Sequence, residues 1–427
     1  SYYKHSNDYA NVYYYDLYGK REYKYNFLTC NNIKSIEWKK LEYKEPFFLF
    51  IKQDEYLQEE YDKFYSLKDM FKISGVGICS KRDNIVFQND KEKLMKLLND
   101  FISKDKEELY KLYDIGEDSR DWKLDIAIKT IKENENELEN YIMKCHFRPF
   151  DFKYTYYVNK SRAFMAYPVY DIFEHFLKDD NNIGLICDRG TKLQELSNIF
   201  ISNNLIDLHL VGSGSYIFPL YLYNTPNVRK AIQTENYNVG DLFKKYEENI
   251  FENSDRIENF TINFRNFIDK KYDCHFSPED ILGYIYAVLF HKTYRTKYID
   301  FLKIDFPKIP FTNSKDIFIK LSVLGTKLYN LHLMKDNDLN KIIGEGLYKD
   351  DKNNKIEKPL YNEKENRLFI NKSLYFDKVS KEVCMYKIGG YQVLDKYLKS
   401  HKGEDIDYSY FQKIIQILNK SLILENE

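Results

Sequence analysis

Tyr386-Lys387-Ile388-Gly389-Gly390-Tyr391-Gln392-Val393-Leu394-Asp395-Lys396-Tyr397-Leu398-Lys399-Ser400 sets a tight turn directly against a helix. The Gly-Gly pair reverses the chain between two aromatic flanks. From Val393 the apolar residues recur at helical spacing, which leaves lysine on the open face. Hairpin and helix so close together predict a mixed α+β class, with a central β-rich region flanked by helical blocks.

The rest of the chain fits that class. Asn11–Leu17 (NVYYYDL) reads as a strand ending near Gly19, and Pro46–Ile51 (PFFLFI) as a buried strand. From Lys91, the residues Leu94, Leu97, Leu98, Phe101 and Ile102 form one helical stripe. A second helix is predicted over about 121–143, with Leu124, Ile126, Ile128, Ile131 and Leu138 inward. Residues 147–170 and 183–224 read as short strands and turns, among them LHLVG and YIFPLYLY. Asn224–Asn227 reads as a linker, and helices extend from there to about Met334. Ser277-Pro278-Glu279-Asp280 is a helix start, with Ser at the N-cap and Pro at the first position. Asp350–Lys358 is a polar loop, Arg367–Ile370 and Val383–Ile388 are predicted strands, and a closing helix turns Ile414, Ile415, Leu418 and Leu422 inward. The predicted segments are 1–45, 46–235, 236–335 and 336–427.

Hydrophobic residues make up 43% and aromatics 17% of the 427, enough for a substantial core. The 40 Tyr and 30 Phe, with abundant Lys, Asn and Ile, match the codon usage of an AT-rich genome. Arginine is scarce beside lysine, so each guanidinium is worth locating. The net charge of −1 counts against a nonspecific polyanion binder, yet it allows a basic face offset elsewhere. Residues 141–170 carry Lys144, Arg148, Lys153, Lys160 and Arg162 against Asp151 alone, whereas 241–258 is acidic. Six scattered cysteines with no CxxC pair point to neither a zinc site nor disulfides, and hence to a reducing cytoplasm. No apolar run is long enough to span a bilayer. Ser1 is not an initiator methionine, so the chain reads as a processed or excised piece.

Catalytic signatures are missing. Gly212-Ser213-Gly214 leads into a strand-like segment, where a phosphate-binding loop needs a helix. It reads as a turn, the rival reading being a self-contained S-adenosylmethionine-dependent enzyme. No GxxxxGK[ST] loop and no (Asn/Asp/Ser)-Pro-Pro-(Tyr/Phe) tetrapeptide occurs. Asp305-Phe306-Pro307-Lys308 has nuclease-like residue types but reads as a rigid turn. The histidines are dispersed and form no nucleophile–base pair. The remaining signal is cationic residues interleaved with aromatics, at 147–157, Asn159–Arg162 and 294–298. Such segments suit nucleic acid, where cations contact phosphates and Arg, Asn or Lys reach base edges.

Several of these segments resemble, in order, motifs of the target-recognition region of type ISP and related type IIG restriction-modification enzymes. They are Val12–Lys24, Gly77–Asp83, Phe147–Asp151 with Tyr154–Tyr157, Tyr298–Thr312, and Tyr386–Ser400. Cys79, Ser80 and Lys308 depart from the family pattern. The resemblance implies a sequence-specificity module that binds double-stranded DNA. It further implies an adenine-N6 methyltransferase and a nuclease upstream of residue 1, using S-adenosylmethionine and Mg2+, with no cofactor in this chain. Candidate DNA-contacting residues are Lys81, Arg82, Asp83, Asn84, Arg148, Lys153, Asn159, Lys160, Arg162, Arg295 and Lys297, with Arg148 and Arg295 alternatively tying elements together. A scaffold that makes no base contacts is the alternative within the same enzyme.

Overall fold

A computed structural model describes residues 10–43, 55–179, 181–193, 195–226, 228, 255–336, 339, 347–348 and 353–426. The chain divides into two compact units, 1–60 and 61–427. The strand predicted at Pro46–Ile51 and most of the acidic run 241–258 lie outside the described residues. The class is mixed α+β, as the sequence predicts.

In the first unit, β1 (Val12–Tyr14) pairs antiparallel with β2 (Lys39–Leu41), Val12 opposite Leu41. Between them α1 (Arg21–Cys30) has no buried side chain.

The second unit includes β3 (Gly75–Val76) and α2 (Lys91–Ser103). The Asp90 carboxylate caps α2 by accepting from the Lys93 amide at 2.6 Å. Leu94, Leu97, Leu98 and Phe101 are buried, the stripe read from sequence. The next helix, α3, spans only Leu124–Lys132, short of the predicted 121–143. It buries Ala127 and Thr130, while Ile126 is exposed. Its end has a tertiary cause. Asn134 closes a turn onto the Ile131 carbonyl and donates to the Tyr156 hydroxyl at 2.8 Å. Beyond it come a short helical turn at Leu138–Tyr141 and then a strand from Ile142.

That strand, β4 (Ile142–Arg148), forms a hairpin with β5 (Asp151–Tyr156), Cys145 opposite Lys153. Three more strands follow: β6 (Gly184–Asp188), β7 (Ile199–Ser202) and β8 (Leu205–Ile206), the last parallel to β4. With β9 (Ser215–Pro219) they complete two sheets, β3-β9-β6-β7 and β5-β4-β8. The strand predicted at LHLVG is a turn. Asp207 causes this, because its carboxylate accepts from the His209 amide at 2.9 Å and offers the backbone a local alternative to a ladder.

The helical block is built on α4 (Pro278–Phe290) and α5 (Lys315–His332). Ser277 and Asp280 cap α4 reciprocally, with Pro278 at its first position. The two helices cross at glycines, since a Cβ on Gly325 would overlap the Gly283 carbonyl. Toward the C-terminus, Ser380 caps a single helical turn at Lys381–Cys384, where a strand from Val383 is predicted. Then come β10 (Lys387–Ile388), β11 (Tyr391–Gln392), α6 (Val393–Ser400) and α7 (Tyr408–Leu424). His332 joins the block. Its imidazole lies between the Tyr286 hydroxyl (2.7 Å) and the Ser421 hydroxyl (2.9 Å), and stacks on Phe200 of β7. Burial pushes it down to about 3, so it is neutral.

Candidate nucleic-acid interface

The Gly389–Gly390 turn is a docking point. Gly389 adopts φ +60, and a Cβ there would overlap the Val211 carbonyl. Its amide donates to Ser197 O at 2.7 Å, the Ser197 hydroxyl donates to Gly389 O at 3.0 Å, and the Gly390 amide donates to Val211 O at 3.1 Å. The docked hairpin hands the chain to α6, which buries Val393, Leu394, Tyr397 and Leu398 and turns Lys396 and Lys399 away from them.

Against this hairpin lies the end of β4, and the two together make a ladder of cations and rings. Lys153 Nζ sits 4.6 Å from the centre of the Phe147 ring, and the Arg148 guanidinium 4.0 Å from it. The same guanidinium is 5.4 Å from the Tyr391 ring, which has Lys396 Nζ at 5.5 Å. Three positive groups thus alternate with two aromatic faces, whose electron density partly offsets the repulsion. Asp207 anchors the middle rung through a 2.6 Å ion pair to Arg148 Nη1. Both are buried. Lys396 registers the crowding. Burial first, then Arg148, Lys153 and Lys399, hold its ammonium below the ordinary lysine range, with Asp151 opposing. The arrangement can accept an anion, which would relieve that repulsion.

A carboxylate–imidazole–carboxylate relay fixes the ladder's two halves to each other. His401 Nε2 is 3.0 Å from the Asp151 carboxylate at the start of β5, and Nδ1 is 2.9 Å from Glu404. Glu404 also accepts from Asn89 (2.6 Å) and Lys93 (3.1 Å). Burial lowers the imidazole pKa, but the two carboxylates outweigh it and the net shift is upward.

The residues singled out from sequence fall in three places. Arg148 and Lys153 belong to the ladder, Arg148 as its buried, anchored centre. Around the second place, the turn at 80–84 meets two other loops. Arg82 donates to the carbonyls of Lys81 and Glu117 and lies 5.3 Å over Trp122, which draws it inward. Asn84 donates to Asp114 O, and Asp83 accepts from the Ser80 hydroxyl. Lys81 and Arg162 are exposed and have left-handed backbones, at φ 61 and 55. Asn159 is exposed, and Lys160 pairs with Glu133 at 2.8 Å. The third place is the helical block. There Arg295 donates to Leu289 O at 2.7 Å and covers Phe290, and Lys297 lies over Tyr298.

Two features are not evident from the sequence. Every arginine among the described residues has an internal partner. Lys396 and Tyr391 join the site even though the helix pattern marks only an open lysine face. The Gly212–Gly214 loop closes on the protein itself. Asp188 accepts from the Ser213 amide, and the strand β9 follows where a nucleotide site would have a helix. Among the described residues no three His, Cys, Asp or Glu side chains group to hold a metal ion, and no helix is long and apolar enough to cross a membrane.

Residues 69–422 match the family model of the Type ISP C-terminal specificity domain. The chain belongs to that family. The solved structures similar to this specificity domain include a nuclease-deletion mutant of the Type ISP restriction-modification enzyme LlaGI in complex with a DNA substrate mimic. It is 20% identical with TM-score 0.66, over 99% of this chain and 39% of that one. The ATP-dependent Type ISP enzyme LlaBIII bound to DNA is 18% identical with TM-score 0.63, over 91% and 26%. A DrdV–DNA complex is 18% identical with TM-score 0.67, over 98% and 43%. The specificity domain therefore spans less than half of each of these chains. No curated protein matches it. At these identities the likeness establishes the shared fold. Phe147–Arg148 and Tyr391–Lys396, from two segments that carry the family resemblance, are the ones the ladder joins.

Proposed function

We propose that the chain is the sequence-specific double-stranded DNA recognition module of a restriction-modification enzyme. It directs adenine-N6 methylation and cleavage by other domains of that enzyme, which would use S-adenosylmethionine and Mg2+ in the cytoplasm. The ladder Lys153–Phe147–Arg148–Tyr391–Lys396 carries the reading: it holds like charges together on a specificity-domain fold. Related folds solved with DNA support it. Phosphates supply the countercharge and set register, while nearby loops meet base edges.

The test is selection of bound sites from random duplexes by the full chain, followed by affinity measurements across a salt series. The expected result is an enriched motif and an affinity falling steeply with salt. Binding with salt dependence but no enriched motif would favour the scaffold reading. No binding would remove DNA recognition from this chain.

A further inference from the structure

Arg120 lies outside the ladder and combines two properties that usually exclude each other. Its side chain is 81% exposed, yet it is held in a two-point ion pair. Nε and Nη2 donate to the two carboxylate oxygens of Asp121 at 2.9 and 3.0 Å. Asp121 is itself only 12% exposed, and the Tyr167 hydroxyl is hydrogen-bonded with this pair. These bonds hold the Asp121 carboxyl down to about 2, so the support is ionised at any physiological pH. An exposed arginine ordinarily samples many rotamers. Here the two bonds to Asp121 offset part of that ordering entropy before any ligand arrives.

The geometry also decides which edge is presented. A guanidinium has a side edge, Nε with Nη2, and an end edge, Nη1 with Nη2. Asp121 takes the side edge. The carboxylate leaves the end edge, whose parallel N–H bonds can match O6 and N7 of guanine.

A second observation points the same way. Arg162 Nε lies 3.9 Å from the same Asp121 oxygen, so two guanidinium groups share one carboxylate. Arg162 has a left-handed backbone, as has Lys81 on the turn that Cys79 bridges to Tyr167. Unfavourable conformations gathered on adjoining loops mark a geometry held for use.

We propose that Arg120, buttressed by Asp121, reads a guanine edge in the major groove of the target duplex. This rests on the DNA-recognition reading above and adds a specificity-determining residue to it.

Random-duplex selection would be run with the full chain and with Arg120→Ala, Arg120→Lys and Asp121→Asn. The wild-type motif is expected to contain a G·C pair whose discrimination falls by about tenfold or more in Arg120→Ala. The slope of affinity against salt should stay unchanged. Arg120→Lys should lose the same position, because an ammonium has no fork, while keeping the ion pair to Asp121 and hence the loop. Asp121→Asn should weaken that position without abolishing it. An unchanged motif in both Arg120 variants overturns the proposal. So does a uniform loss across all sequences with the salt slope reduced by about one, which marks a phosphate contact. Salt-dependent binding by the wild-type chain with no enriched motif favours the scaffold reading over sequence-specific recognition, and overturns this proposal with it.

Discussion

His401 does more for the interface than its distance from any base would indicate. Its imidazole joins Asp151 on β5 to Glu404 beyond α6, and stacks 4.5 Å from Tyr397 on α6 itself. The groups around it are Asp151, Glu404 with Lys93 and Asn89, and the Tyr397 and Tyr410 rings. Asp151 is buried, and its second oxygen has no hydrogen-bond partner. Removing the imidazole therefore strands a buried carboxylate. We expect His401→Ala to lower the unfolding free energy by about 3 kcal/mol in urea titration. The sign of the pH dependence follows from the raised imidazole pKa. The relay's stabilisation is complete below about 6.5, the unfolded value, and is lost as pH rises through the higher folded value. The wild-type urea midpoint should accordingly drop across that window, and the drop should shrink in His401→Ala. An identical pH profile in both proteins would refute the relay. No pattern in the sequence singles His401 out, since its partners are 3 and 250 positions away.

Among the elements, the α4–α5 crossing depends on atoms that are not there. Gly283 and Gly325 let two backbones meet where any Cβ would strike the facing chain. Gly325→Ala should force the helices apart and destabilise the chain by about 1–3 kcal/mol or more, read as a lower urea midpoint at unchanged m-value. A neutral outcome would mean that the helices slide freely past each other. Elements with local causes were legible in advance: the Ser277–Asp280 cap and the Leu94–Phe101 stripe needed only nearby residues. The predicted helix over 121–143 failed for the opposite reason. Its last two residues, Ile142 and Met143, pair with Tyr156 and Thr155 of β5, and that pairing outweighs local helical preference.

For the molecule as a whole, the near-zero net charge conceals an uneven arrangement. The arginines are tied into the structure, and lysines end the ladder at both sides. Lys153→Ala with Lys396→Ala should reduce the slope of log affinity against log salt by about two, equally for all duplexes. Arg148 is unsuited to that test because its loss would strand Asp207. A slope unchanged in the double variant would move the phosphate contacts off the ladder. By itself, the amino-acid sequence determined the mixed α+β class, the main helical stripes, the capped starts and the family motifs, because all of these are set by neighbours a few positions apart. Only the tertiary structure decided which cations stand in company. Asp207 draws Arg148 inward from 59 positions away, and Tyr391 meets it from the far end of the chain. Such partners are chosen by packing in space, where separation along the chain carries no weight.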